Sequence, residues 1–330
     1  LAGDTPISTP GAGNIDIDFN GTANTVSYSG ANQAIYATTY RNLTITGSGT
    51  KTIQSDMTIN GNLLIIVGTT LSAPAGGSDD LTIGGNWENH GTFSGGDDVV
   101  TFNGSSQTIG GTATTTFNNL SIGSSTATTL EINTLVAGNL TVTTGDVFNL
   151  STFSCNRTAA GGIMTIAGTL RLAGDAGGQT GSNFPTNFTT NTMTGGRVIY
   201  EGSNAISQTV YNGVTYENLE LTNGSGSGTA DKVSAGNFAV NGTFTINADV
   251  VFTPGATDVI TGTTNTITGS GTIKVTRITA TPDFASQYVF STDNLDALTV
   301  DYAGAGNQTV TAETYGSVLT SGSGIKTLGG

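Results

Sequence analysis

Two pairs of adjacent carboxylates, Asp79-Asp80 and Asp97-Asp98, bracket the segment "NWENHGTF". Carboxylates on neighbouring turns can offer oxygen ligands to Ca²⁺. The GGxGxD nonapeptide that marks calcium-binding β-rolls does not recur, so the competing reading of all four acids is solvated turn residues. Inside the bracket, Trp87 and His90 could stack on a sugar ring, although a single Trp more often fills an interior. Asp56, Glu88, Glu131, Asp146, Asp175, Glu201 and Glu217 are spread thinly, and none recurs at a fixed spacing beside Arg or Lys. Polysaccharide cleavage needs carboxylates gathered in one cleft. The chain therefore reads as no enzyme, with no catalytic or cofactor-binding residue to name. Cys155 is the lone cysteine, which rules out an intrachain disulfide. As a nucleophile it would need a base, and the one histidine, His90, is far away in sequence.

The elements that must carry these residues follow from composition. Thr occurs 62 times and Gly 49 times, while only 10% of residues are charged. Thr, Val, Ile and the aromatics favour a pleated, half-buried backbone, and Gly and Asn supply turns. No stretch shows the 3.6-residue apolar period of a helix, so the expected class is all-β. The net charge is −14, and the nine Lys and Arg are scattered singly. Phosphate backbones are bound by clustered cations, so nucleic acid is not an expected partner. Membrane insertion is not expected either, because no run approaches the roughly 18 apolar residues a span needs. The opening "LAGDTPISTPGAG" lacks the basic region and apolar core of a signal peptide.

Repeats organise the rest. "VSYSGANQAI" at Val26, "VTFNGSSQTI" at Val100, "VIYEGSNAISQTV" at Val198 and "VDYAGAGNQTV" at Val300 share a pattern. Each has an aromatic (Tyr28, Phe102, Tyr200, Tyr302), then a Gly, then Gln33, Gln107, Gln208 or Gln308. The third copy carries three extra residues before its Gln and the fourth carries one. A second aromatic follows at Tyr40, Phe117, Tyr216 or Tyr315. The recurring tyrosines are expected to form a structural ladder. The Gln-to-Gln intervals are 74, 101 and 100 residues. The words "NLTITGSGTKTI" from Asn42 and "SVLTSGSGIKTLGG" from Ser317 also match, and the latter reads as half a coil, incomplete at Gly330. A finer pattern, apolar-x-apolar, a Gly turn, then apolar-x-apolar, runs through "MTINGNLLI", "LTIGGNWENHGTF", "LVAGNLTV", "IMTIAGTLRL" and "FAVNGTFTI". Its glycines are expected to supply positive φ at sharp corners.

Two architectures fit, tandem β-sandwich modules and a right-handed β-helix-like β-solenoid of about 13 coils at about 25 residues each. The solenoid is preferred. One added coil explains the longer interval, at three coils per short unit and four per long one. The chain then reads as one continuous repeat array over 1–330, with long units beginning near 26, 100, 198 and 300. Outer rows of Thr could stack on one another. A flat TxT array would make an ice-binding face, but the Thr spacing at Thr112–Thr116 and Thr261–Thr272 is irregular.

The words "GGNWENHGTFSGGDDVVTFNGSSQTIGG", "TTTFNNLSI" and "YRNLTITGSGTKTI" resemble the long Thr/Gly-rich repeat proteins secreted to the surface of Bacteroidota and related phyla. Many of those end in a type IX secretion sorting domain, which does not follow Gly330 here. The resemblance implies an extracellular, cell-surface structural protein: the stalk of an adhesin, or the subunit of a fibre. Expected partners are copies of itself or further repeats stacked end to end, and surface glycans. The alternative is a carbohydrate-binding or carbohydrate-cleaving β-helix.

Overall fold

A computed structural model of the chain describes residues 18–73, 76, 79–123, 127–175, 181–203, 205–224, 226–262 and 265–329. The reading of the N-terminus and two threonines of the Thr261–Thr272 segment, at 263–264, lie outside the described residues. Contacts divide the chain into two compact units, 1–168 with 187–192, and 169–186 with 193–330.

The N-terminal unit is a three-faced β-solenoid. Its first face stacks Thr25–Tyr28, Asn42–Ile45, Leu63–Ile65, Trp87–Asn89, Ser106–Gly111, Ala127–Leu130 and Val147–Asn149. The third face stacks eight strands, from Thr39–Tyr40 through Met57–Ile59 and Leu81–Ile83 to Phe188–Thr192. The second face begins with Gln33–Ala34, Gly49–Thr52, Thr69–Ser72 and Thr92–Ser94. A separate sheet of Thr116–Phe117, Thr134–Val136 and Cys155–Asn156 continues it. The second unit repeats the plan, with a six-strand first face from Thr169–Leu172 to Thr292–Asp293 and a six-strand second face from Gln208–Val210 to Ser317–Leu319. Each strand pairs in parallel with its counterpart one turn away, for example Leu43 with Leu63 and Leu63 with Trp87. Immunoglobulin-like sandwiches are antiparallel, so the tandem-sandwich alternative is excluded.

Alternation along each short strand builds the core. On the third face, Met57, Leu81, Val100, Leu120, Leu140 and Met164 stand in one register column, and Ile59, Ile83, Phe102, Ile122, Val142 and Ile166 in another. All twelve are buried. The residue between them points outward and is Thr58, Thr82, Thr101, Ser121, Thr141 or Thr165. Period-two alternation with one dry face produces this result directly.

Two expectations need correction. The repeat interval is not a whole number of turns. Copy one opens on the first face of its unit, and copy two opens in Val99–Phe102, on the third face, three rungs above Thr39–Tyr40. Copy three opens on the first face of its unit, and copy four opens in Thr299–Tyr302, on the second. Coil length varies with the corner loops, so equivalent words drift around the axis. No aromatic ladder therefore joins copies within a unit.

The corner glycines Gly61, Gly84, Gly85, Gly138, Gly168 and Gly242 are also absent from the positive-φ positions. They are needed for close approach. A Cβ on Gly61 would lie 2.4 Å from the Arg41 carbonyl oxygen and 2.4 Å from Asn42 Oδ1. On Gly138 it would lie 2.4 Å from Asn119 Oδ1. Positive φ is found instead in the "GSG" words, at Gly47, Gly49 and Gly324.

Candidate functional sites and the buried clamps

The two acid pairs are not four solvated turn residues. Asp79 and Asp98 are buried, while Asp80 and Asp97 are exposed. Three of their oxygens accept from backbone amides of adjacent turns. Asp98 Oδ1 accepts from Asp79 N–H at 3.3 Å, Asp80 Oδ1 from Val99 N–H at 2.9 Å, and Asp97 Oδ1 from Gly76 N–H at 3.0 Å. Asp98 Oδ2 is buried without a partner, and burial pushes this carboxyl up. Among the described residues, no group of three or more His, Cys, Asp or Glu is arranged to hold a metal ion.

Asp80 belongs to a longer device. Asp56 Oδ1 accepts from Asp80 N–H, Asn119 Oδ1 from Asn139 N–H and Asn139 Oδ1 from Ile163 N–H, each one turn on. A second corner repeats it, with Asn62 N–H donating to Asn42, Asn86 N–H to Asn62 and Thr108 N–H to Asn86 at 2.9–3.0 Å. Asx side chains readily accept from main-chain amides. Here they carry the ladder round the corners where strands stop.

Trp87 cannot offer a sugar platform, because it is 0% exposed. It packs edge-on against Phe93 at 4.8 Å and Phe117 at 5.0 Å, and its Nε1 donates to Thr115 Oγ1 at 3.0 Å. Thr115 is thereby drawn inside, so Thr112–Thr116 is no flat array. His90 stays on the surface against Glu88 at 2.7 Å and Thr112 at 3.0 Å. Cys155 is buried, which pushes its thiol up to about 12 and away from nucleophilic use. Among the remaining acids, Asp146 is held by Thr143, Glu201 by Arg171 and Glu88 by His90, each at a separate place.

The repeat words hold the most ordered polar chemistry. Each Gln is buried, and its Oε1 accepts from the Gly N–H of the same copy: Gly30 to Gln33, Gly104 to Gln107, Gly202 to Gln208 and Gly304 to Gln308, at 2.6–3.1 Å. In copies two, three and four the Nε2 group reaches down to two carbonyls of the turn beneath. Gln107 donates to Ile83 and Gly85, Gln208 to Leu172 and Gly174, and Gln308 to Val275 and Arg277.

One turn above three of these glutamines sits a lysine: Lys51 over Gln33, Lys232 over Gln208 and Lys326 over Gln308. Lys51 and Lys232 are 0% exposed. Lys51 Nζ donates to the carbonyls of Gly30, Ala31 and Ser48, and Lys326 Nζ to those of Gly304, Gly306 and Ser323. Desolvation lowers all three ammonium groups, that of Lys232 to about 8. In copy two the equivalent is Thr128, buried with an unpartnered hydroxyl.

The paired tyrosines form closed circuits. Tyr36 N–H donates to the Tyr28 hydroxyl at 2.9 Å, and the Tyr40 hydroxyl donates to the Tyr36 carbonyl at 2.6 Å. Tyr28 must then donate to Tyr40, across 2.9 Å. Tyr200, Tyr211 and Tyr216 repeat the circuit, as do Tyr302, Thr311 and Tyr315. Copy two replaces the pair with Phe102 and Phe117 in edge contact at 6.0 Å.

Sequence reasoning found the Gln and Tyr positions but missed the lysines. The signal was present: Lys51 and Lys326 hold matching places in the two "GSG" words, in a chain with four lysines. No family model, no curated protein and no solved structure matches this chain.

Proposed function

We propose that the chain is a structural extracellular repeat protein, the stalk of a cell-surface adhesin or the subunit of a surface fibre. One observation carries this reading: the repeat words spend their most distinctive residues on clamping one turn to the next. Gln, Lys and paired Tyr are tied to main-chain groups and buried, apart from the half-buried Tyr315 and Lys326 of copy four, so what recurs is reinforcement rather than a site. Stacking with further repeats or copies draws support from the last two strands, Ser317–Leu319 and Lys326–Leu328, which pair on one side and end their sheets. Leu319 is 49% exposed, Ile325 68% and Leu328 82%. Unpaired strand edges with apolar side chains invite another strand. Electron microscopy of the native material tests the reading. Filaments are expected, and removing residues 317–330 should shorten or abolish them while leaving the circular dichroism β-signal intact. Unchanged filaments after that deletion would refute pairing through this segment.

A second reading rests on a different face. In the N-terminal unit, Thr50, Thr70 and Thr92 stand in one outward column, and Thr52, Ser72 and Ser94 in the next. The rungs read Thr-x-Thr, Thr-x-Ser and Thr-x-Ser, hydroxyl rows repeating at a strand spacing of about 4.8 Å, with the threonine column stiffened by β-branching. Ice recrystallisation should be inhibited by the chain and restored by Thr70→Lys. Free recrystallisation in the presence of the unaltered chain removes this reading.

A further inference from the structure

Copy three of the repeat differs from copies one and four in what its lysine touches. Lys51 and Lys326 each reach three main-chain carbonyls. Lys232 reaches one, the Gly202 carbonyl at 2.5 Å, and its second partner is the side-chain carboxamide of Gln208, with Nζ 2.7 Å from Oε1. Both residues are 0% exposed.

The carboxamide is already set up electronically. Its oxygen accepts from Gly202 N–H at 2.6 Å, a main-chain donor that stays on the carbonyl when Nζ turns from Oε1 to Cδ. Its Nε2 hydrogens are held by the carbonyls of Leu172 at 3.0 Å and Gly174 at 2.9 Å. Glu201, 8% exposed and ion-paired with Arg171, immediately precedes Gly202, whose carbonyl holds Lys232 Nζ. The equivalent positions in copies one and four are Ser29 and Ala303, so copy three alone of the lysine-bearing copies has a carboxylate there.

We propose that Lys232 and Gln208 are a modification site at which the amine displaces the amide nitrogen, forming an isopeptide bond between successive turns. The Nζ lone pair attacks Cδ, the Nζ–Cδ bond forms and the Cδ–Nε2 bond breaks. One amine proton passes through the Glu201 carboxylate to the departing nitrogen, which leaves as ammonia. Nothing is oxidised or reduced, and no co-reactant is required. Burial supports the step, because a lysine lowered to about 8 supplies free amine near neutral pH. The bond would close a loop between residues 24 apart and pin one turn to the next. It forms or fails to form whatever role the chain serves.

Intact mass of the denatured full chain tests this. The expected value is one ammonia below the sequence mass, with peptides containing Gln208 and Lys232 recovered joined. Succinimide formation at Asn-Gly pairs also releases ammonia, so tandem mass spectrometry must place the loss at these two residues. Lys232→Arg should leave the Gln208 peptide linear, and Glu201→Gln should slow bond formation by about 100-fold or more. Should Lys232→Arg fail to fold, the unaltered chain alone decides the matter. Full sequence mass, or a loss located elsewhere with the two peptides separate, overturns the proposal. An undiminished rate in Glu201→Gln overturns the part given to that carboxylate.

Discussion

A glutamine that accepts once and donates twice can do what no apolar residue can: it joins a turn to itself and to the turn below. Burying such a side chain unpaired would cost about 1–3 kcal/mol, so its completeness is a condition of the fold. The same accounting applies to the tyrosine circuits. Removing one hydroxyl, as in Tyr28→Phe, leaves the Tyr36 N–H without its acceptor and should cost about 1–3 kcal/mol. Removing both, as in Tyr28→Phe with Tyr40→Phe, should cost less than the sum of the single changes, because the hydroxyls form one coupled set. Copy two shows the apolar version in place, Phe102 against Phe117. Urea unfolding of the four members of this cycle measures the coupling, and strict additivity would count against a closed circuit. The pair positions were legible in the sequence from their recurrence. Their hydrogen bonds were not, since the intervening main-chain partner is set by how the chain turns.

At the scale of the strand, register decides which face a residue takes, and Asp293 shows the consequence. It is paired with Ile267 on the inward side of the last first-face strand of its unit, Thr292–Asp293. Its Oδ1 is buried without a hydrogen bond. Burial, with Glu313 beside it, pushes the carboxyl up to about 6. A carboxyl raised in the folded state binds its proton more tightly there than when unfolded. Its stabilising share is therefore complete below the ordinary value near 3.8 and is lost as pH rises through about 6. Asp293→Asn should flatten the pH dependence of melting over that window, by on the order of 1–2 kcal/mol after solvent screening. A melting profile that keeps its slope in the variant would show that another group titrates there. In the sequence "STDNLDAL" nothing marks this aspartate, because its inward position depends on the strand before it in space.

At the scale of the whole chain, the sequence determined the class and the kind of winding. Short apolar-x-apolar runs separated by Gly and Asn can bury one face only by stacking on their own kind, and the parallel three-faced turns follow. The tertiary structure decided the rest, for one physical reason. Side chains meet across turns of unequal length, so positions in contact have no constant separation in sequence. That is why equal repeat words open on different faces, why corner glycines answer to an asparagine one turn below rather than to their own φ, and why Thr rows invisible in the sequence line up in register. It is also why Lys232 lies against Gln208: the spacing of the words placed each in its own turn, and only the closing of the coil brought the amine to the amide.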